Sequence, residues 1–170
     1  MSGRKIFVCD GAIAPGAVLA VEAAVKALSF TRTEASLLGM APTASSAEIP
    51  ATPLMASFIA QLQGAAEQLF SGETFRAQRA YVNRSVYGDA YYVHRDLCAV
   101  TVLYYVNLVW EPDWGGETIY FDDDNDAQLV VSPRPGRLVV ARGDILHRAS
   151  VPARDCPEER LTIALKLANA

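Results

Sequence analysis

The spacing of apolar residues changes along the chain, from a helical period in the first part to short β runs after residue 75. Apolar residues at helical spacing predict helices over residues 15–28 and 53–70. Pro15 suits the first turn of the first helix, because a proline there loses no helical hydrogen bond. A short strand over residues 5–9 precedes this helix.

The segment between the helices, residues 31–53, has a weaker pattern that is rich in Thr, Ser and Ala and interrupted by prolines. This composition predicts a strand or irregular arm followed by a loop. An arm of this kind could form a lid over a site, although most such loops only connect elements.

The second part of the chain alternates β-branched and aromatic runs with turn residues. The predicted strands cover residues 75–83, 98–109, 117–121, 128–132, 137–141, 145–149 and 161–167. Helices followed by about eight short strands predict an α+β fold that is mainly β, with a sandwich or jelly roll. No boundary is strong enough to divide the chain into two domains.

Composition narrows the range of partners and compartments. The net charge is −4 and the pI about 5.1, which argues against nucleic acid as a partner because phosphate binding needs clustered Lys and Arg. Three widely spaced cysteines argue against a disulfide framework, so a reducing cytoplasm is expected. No apolar run is long enough for a signal peptide or a membrane span, so no membrane partner is expected.

The chain has only two histidines, His94 and His147, and an acid, Asp96, lies two residues after the first. In an extended segment His94 and Asp96 point to the same side, so both can reach one metal ion. A third ligand must then come from elsewhere, and His147 is the only other imidazole. Two imidazoles and one carboxylate form the facial triad that leaves open positions on ferrous iron. The alternative is that the tripeptide is a chance occurrence and that both histidines are ordinary surface or core residues.

Further motifs follow this triad in a fixed order over roughly residues 78–168. They are His94-Arg95-Asp96, Tyr104-Tyr105-Val106-Asn107, Trp114-Gly115-Gly116-Glu117-Thr118, Pro135-Gly136-Arg137, His147 and Arg160-Leu161-Thr162-Ile163. This order resembles the prolyl 4-hydroxylase-like branch of the 2-oxoglutarate and Fe(II)-dependent oxygenases. The resemblance implies a double-stranded β-helix in one domain, residues 1–170, with helical support at 12–72 and a β-helix core at 75–168.

The resemblance also implies a ligand set and a co-substrate site. His94, Asp96 and His147 match the residues that bind Fe(II) and carry catalysis. Arg160 matches the basic residue that binds the far carboxylate of 2-oxoglutarate, and Thr162 shares its face of the strand. One alternative is that Arg160 ends a polar loop and faces solvent, and Lys166 and Arg148 are poorer candidates for the same carboxylate.

Two further residues are assigned less directly. Tyr105 matches the tyrosine whose phenol binds 2-oxoglutarate, unless the register slips by one residue and Tyr104 takes its place, or both are core aromatics. Asn83 is a candidate pocket residue, although its segment departs from the commoner family pattern. Gly115 and Gly116 would let the backbone approach the pocket.

The function implied is that of a 2-oxoglutarate-dependent Fe(II) dioxygenase, which uses O₂ and converts 2-oxoglutarate to succinate. A small molecule, either an amino acid or a biosynthetic intermediate, is the expected substrate, hydroxylated at an aliphatic C–H. The presence of Asp96 favours hydroxylation or desaturation over halogenation. The alternatives are a prolyl hydroxylase acting on a partner protein, a metalloenzyme that does not use 2-oxoglutarate, and a non-catalytic β-sandwich binding module. A homodimer is compatible with the sequence.

Overall fold

Two antiparallel sheets form most of the protein. The computed structural model describes residues 5–35 and 39–170. Its strands are β1 (Ile6–Cys9), β2 (Thr31–Glu34), β3 (Ala44–Glu48), β4 (Phe75–Ser85), β5 (Val100–Tyr105), β6 (Thr118–Phe121), β7 (Ala127–Val131), β8 (Leu138–Arg142), β9 (His147–Ala149) and β10 (Arg160–Asn169). The large sheet has the order β1-β8-β5-β10-β4-β3-β2, and the small sheet has the order β7-β6-β9.

The two predicted helices are present as α1 (Pro15–Lys26) and α2 (Pro53–Leu69), and a 3-10 helix covers Pro112–Trp114. The Thr52 hydroxyl caps α2 by accepting a hydrogen bond from the Met55 N–H at 3.3 Å. Both helices pack on one face of the large sheet, where Phe58 meets Tyr104 edge-to-face at a centroid distance of 4.8 Å. The helices therefore cover one face of the sheet and leave the other face for a second layer.

The second layer is the small sheet. A separate apolar cluster forms between the sheets, from Tyr105, Tyr120, Val131, Val139, Ala141 and Ile145. Two opposed antiparallel sheets with helices outside the larger one form a double-stranded β-helix, so the predicted fold is confirmed. None of the helices within the described ranges is long and apolar enough to cross a membrane.

The arm over residues 31–53 differs from its prediction. It contains two strands, β2 and β3, and β3 extends the large sheet by pairing Ser46 with Asn83 of β4. The local sequence of β3, Ala-Ser-Ser-Ala-Glu, has low β propensity, so its strand conformation comes from this pairing. Residues 36–38 lie outside the described part of the chain, and the lid stays a prediction.

Candidate metal centre and co-substrate cavity

A cavity of about 590 Å³ lies between the two sheets. On the large sheet, alternate residues of β4 and β10 form its wall, because alternate side chains of a strand point to one face. Those residues pair across the strands as Asn83 with Thr162, Tyr81 with Ala164, and Arg79 with Lys166. The small sheet contributes Thr118, His147 and Ala149.

Two histidines and one aspartate meet at this cavity. One ligand atom from each of His94, Asp96 and His147 lies within 4.8 Å of the others. The Asp96 carboxylate lies 3.7 Å from Nε2 of His94 and 3.5 Å from Nε2 of His147. The three residues that the sequence predicted as a triad are therefore brought together.

Backbone hydrogen bonds hold this group in place. The segment before β5 is irregular instead of a full strand, yet His94 and His147 exchange two backbone hydrogen bonds of 3.0 Å. The Asp96 N–H donates to the Gly143 carbonyl at 2.8 Å. The segment that carries His94 and Asp96 is thus bonded to His147 itself and to Gly143, which precedes it in the chain.

Each histidine presents the same nitrogen to the cavity. Nδ1 of His94 lies 2.9 Å from the Tyr92 carbonyl, and Nδ1 of His147 lies 2.9 Å from the Ile145 carbonyl. Since a carbonyl only accepts hydrogen bonds, each Nδ1 carries the proton and each Nε2 keeps a lone pair. This is the arrangement that orients a metal-binding imidazole.

The surroundings of His147 and Asp96 favour the protonation states that bind metal. Desolvation lowers the pKa of His147 to about 4, so its imidazole is neutral near pH 7. Burial raises the pKa of Asp96, but the charge of Lys166, the imidazole of His147 when it is protonated, and hydrogen bonds from Lys166 and Thr101 hold it below its usual value. A neutral imidazole and an ionised carboxylate are both available.

The pKa of His147 predicts how the stability of the metal-free protein depends on pH. The unfolded chain takes up the proton near pH 6.5, whereas the folded protein resists it until about pH 4. The free energy of unfolding is therefore expected to fall as the pH is lowered through this window, by up to about 3 kcal/mol. Urea denaturation at a series of pH values measures this decrease in the free energy of unfolding. The matched control is His147→Gln, in which most of the decrease should disappear, and an equal decrease in both proteins would contradict the prediction.

Gly143 is required at this site by a close backbone approach. A Cβ added there would lie 2.2 Å from the Cys98 carbonyl oxygen, while the Gly143 carbonyl accepts the hydrogen bond from Asp96. Gly143→Ala is expected to displace the ligand segment, lowering stability by about 1–3 kcal/mol and weakening metal binding. Denaturation and metal titration test this. Gly64→Ala is the control, because a Cβ there meets nothing within 4 Å; equal behaviour of the two variants would refute the effect.

A buried arginine lies at another part of the cavity wall. Arg160 is 2 % exposed, and no carboxylate within the described ranges forms an ion pair with it. Its Nε donates to the Gly116 carbonyl at 2.6 Å, and its terminal nitrogens donate to Thr118 at 3.0 Å and Thr162 at 3.5 Å. These bonds use three of the five N–H groups and leave one on each terminal nitrogen. A fork of two free N–H groups matches a carboxylate.

The glycine pair before β6 explains how Arg160 is positioned. Gly116 has a φ of +77°, and a Cβ added there would lie 3.0 Å from Cδ of Arg160 and 3.1 Å from the Trp110 ring. The absence of a side chain lets the Gly116 carbonyl reach Nε of Arg160. The backbone at Gly116 therefore approaches the cavity closely, as expected, and its contact there is with Arg160.

The other predicted residues take different positions. Asn83 and Thr162 line the cavity, and Thr162 is 1 % exposed. Tyr105 is buried, with its hydroxyl 2.7 Å from Oγ1 of Thr118 and 3.3 Å from the Val131 carbonyl. Its contact with 2-oxoglutarate stays a prediction. Tyr104 points to the opposite side and packs against the helices, as predicted for the expected register.

Two residues contact the Asp96 carboxylate in a way that was not predicted from the sequence. Thr101 and Lys166 both donate hydrogen bonds of 2.5 Å to Oδ2 of Asp96. The position of Lys166 was available from strand periodicity, because it lies six residues after Arg160 and therefore on the same face. The pairing of Lys166 with Asp96 could not be predicted in this way, since the two residues are 70 positions apart.

The fold and the site together define a class of protein. A double-stranded β-helix with two imidazoles and one carboxylate between its sheets is the scaffold of a mononuclear non-haem iron oxygenase. The sequence profile of the 2OG-Fe(II) oxygenase superfamily matches residues 81–165, half of the chain, and spans the segment from the triad to Arg160. The chain belongs to this superfamily. It is therefore an oxidoreductase that uses Fe(II), 2-oxoglutarate and O₂.

Solved structures share the fold at low sequence identity. A prolyl-4-hydroxylase from Pseudomonas putida has a TM-score of 0.72 and 20 % identity, covering 96 % of this chain and 92 % of its own. A prolyl hydroxylase from Trichoplax adhaerens, in complex with a hypoxia inducible factor peptide fragment, has a TM-score of 0.74 and 17 % identity, covering 96 % and 83 %. HygX from Streptomyces hygroscopicus, with nickel, 2-oxoglutarate and hygromycin B bound, has a TM-score of 0.70 and 14 % identity, covering 97 % and 83 %. A search of curated proteins found no match.

Proposed function

We propose that this protein hydroxylates an aliphatic C–H of a small molecule, an amino acid or a biosynthetic intermediate, while 2-oxoglutarate is converted to succinate. One observation carries the proposal. A buried arginine without an acidic partner in the described chain faces the same cavity as two free imidazole nitrogens and a carboxylate. A non-catalytic binding module does not require a metal-binding triad next to a buried arginine. Binding of 2-oxoglutarate requires both, because the metal binds its oxo acid end and the arginine binds its far carboxylate.

The donor set fits ferrous iron. Nε2 of His94, Nε2 of His147 and an oxygen of Asp96 would bind the metal, because their other polar atoms already have protein partners. When bound, iron and 2-oxoglutarate supply the activation of dioxygen and the oxidising power for the C–H bond. The protein's own contribution is to hold three ligands on one side and leave the other side open.

Arg160 orients the co-substrate. Its two free N–H groups would bind the far carboxylate, and the carbonyl of Gly116 and the hydroxyls of Thr118 and Thr162 prevent the guanidinium from turning. Leu103 and Ala164 add apolar side chains to the wall of the cavity that contains Arg160 and the triad. A carboxylate bound in such a buried place is strongly held, since the surroundings screen charge poorly.

The size of the cavity supports a small substrate. A volume of about 590 Å³ lies in the range of sites that enclose small molecules, roughly 300–1,000 Å³. The structural relatives include proteins crystallised with a peptide and with hygromycin B, and their identities are below 25 %, so the likeness favours neither class. A prolyl side chain on a partner protein is the second candidate.

Substrate-dependent succinate formation tests the proposal. The iron-loaded protein is given free amino acids, other small aliphatic molecules, or proline-containing peptides, and product is checked by mass spectrometry for one added oxygen atom. His147→Ala measures the background. We expect turnover with a free small molecule. Turnover only with peptides would replace this proposal by the second candidate, and binding of neither metal nor 2-oxoglutarate would remove both.

A further inference from the structure

The cavity wall contains a second, largely buried cation besides Arg160, Lys166, which lies against the candidate metal ligand Asp96. Nζ of Lys166 is 2.5 Å from Oδ2 of Asp96 and 3.3 Å from Oγ1 of Thr101, and its side chain is only 17 % exposed. Thr101 donates to the same oxygen at 2.5 Å. Oδ2 therefore has two protein donors, while Oδ1 receives no hydrogen bond from the described chain and faces His94 at 3.7 Å.

The charge of Lys166, and not only its packing, is directed at the triad. Its direct neighbour across the strands, Arg79, has a like charge and also lines the cavity, but it pairs with carboxylates other than Asp96. The Arg79 guanidinium pairs with Glu34 at 2.9 Å and Glu48 at 3.1 Å and lies 3.9 Å above the Tyr81 ring. Two like charges face one cavity, and each is balanced by different carboxylates. Lys166 is the one that neutralises Asp96.

The pairing of Lys166 with Asp96 changes the net charge of the site at which metal and 2-oxoglutarate would bind. Asp96 and Lys166 sum to zero, so a divalent metal enters a site without net negative charge. The ammonium opposes a dication but attracts a dianion such as 2-oxoglutarate, and both effects are strong where burial limits screening. Removing only one partner of a buried ion pair leaves the other charge uncompensated and costs stability, so a variant without the Lys166 ammonium is expected to be less stable in its metal-free form.

We propose that Lys166 is a positioning residue that sets the charge balance of the metal centre: its ammonium group weakens binding of the divalent metal alone and strengthens binding of 2-oxoglutarate to the metal-loaded protein. The proposal rests on the proposed function, because it requires metal and 2-oxoglutarate to bind at this cavity.

Lys166→Met tests it, since methionine keeps most of the side-chain length, removes the charge and leaves the Thr101 hydrogen bond to Asp96. Calorimetric titration of the metal-free proteins with Mn²⁺, then of the Mn²⁺-loaded proteins with 2-oxoglutarate, gives both affinities without turnover. We expect Mn²⁺ to bind on the order of tenfold more tightly to the variant and 2-oxoglutarate to bind on the order of tenfold more weakly. Damage to the site would instead weaken both.

Two further variants make the test specific. Lys26→Met removes a lysine charge that pairs with Glu22 outside this cavity, and both affinities should stay within about twofold of the wild type. Lys166→Arg keeps the charge and should return both affinities toward the wild-type values. Circular dichroism and thermal melting show that each variant is folded.

The outcomes separate this proposal from the function on which it rests. If the wild type binds Mn²⁺ and 2-oxoglutarate but Lys166→Met weakens both or changes neither, the charge-balance role is wrong and the proposed function stands. The same opposite changes of the two affinities in Lys26→Met would also overturn it, because the position of the removed charge would then not matter. If the wild type binds neither compound, both proposals fail.

Discussion

Replacing His147 with alanine is expected to abolish iron binding and to lower succinate formation more than about a hundredfold. Even residues that only orient metal ligands typically cost about 10–100-fold in affinity or activity, and His147 would be a ligand itself. The structure offers no substitute, because the chain has no third histidine. Iron content after anaerobic reconstitution and the initial rate of succinate formation measure the effect.

Arg148→Ala is the matched control for this variant. Arg148 is the next residue on β9 and is exposed, so its side chain points away from the buried imidazole. Iron content and rate should stay close to those of the wild type. His147→Gln, which fills the space of the imidazole more closely, shows whether a loss comes from the missing ligand or from a cavity. Full iron content in His147→Ala would contradict the proposed ligand set.

Replacing Arg160 with methionine is expected to raise the KM for 2-oxoglutarate by about a hundredfold or more and to leave metal binding in place. Truncating one partner of a buried, hydrogen-bonded charge pair costs about 2–5 kcal/mol, and each 1.4 kcal/mol is a factor of ten. Arg160→Lys should recover only part of the affinity, because an ammonium keeps the charge but not the two-pronged geometry. Initial rates over a range of 2-oxoglutarate concentrations give these values.

The two substitutions are therefore expected to remove different functions of the site. His147→Ala loses the metal, whereas Arg160→Met keeps it and loses the co-substrate. Because Arg160 also donates to Gly116 and Thr118, thermal melting must show that the variant is folded. An unchanged KM in a folded Arg160→Met would mean that another cation binds the carboxylate, and Lys166 would be the next to test.

The candidate triad was predictable because its information is local and its residues are few. The two-residue spacing of His94 and Asp96 brings both side chains to one side of an extended segment, and the third ligand had a single candidate. The structure shows that a full strand is unnecessary, since one bridge between His94 and His147 keeps the required geometry. The helices were equally accessible, because their apolar stripes repeat over several turns.

What the sequence did not predict depends on contacts between distant segments. The strand β3 has low β propensity and forms because the edge of β4 is available to it. The pairing of Lys166 with Asp96 joins residues 70 positions apart, and no local pattern indicates it. The surroundings of the Tyr105 hydroxyl depend on the small sheet, which brings Thr118 within 2.7 Å.

Anaerobic absorption of the protein with Fe(II), before and after 2-oxoglutarate is added, tests the central claim most directly. We expect a weak visible charge-transfer band to appear only when both are present, to be absent in His147→Ala, and to require much more 2-oxoglutarate in Arg160→Met. This result would place metal and co-substrate at the proposed residues. A folded wild-type protein that binds iron but gives no band with 2-oxoglutarate, or a band that persists in His147→Ala, would contradict it.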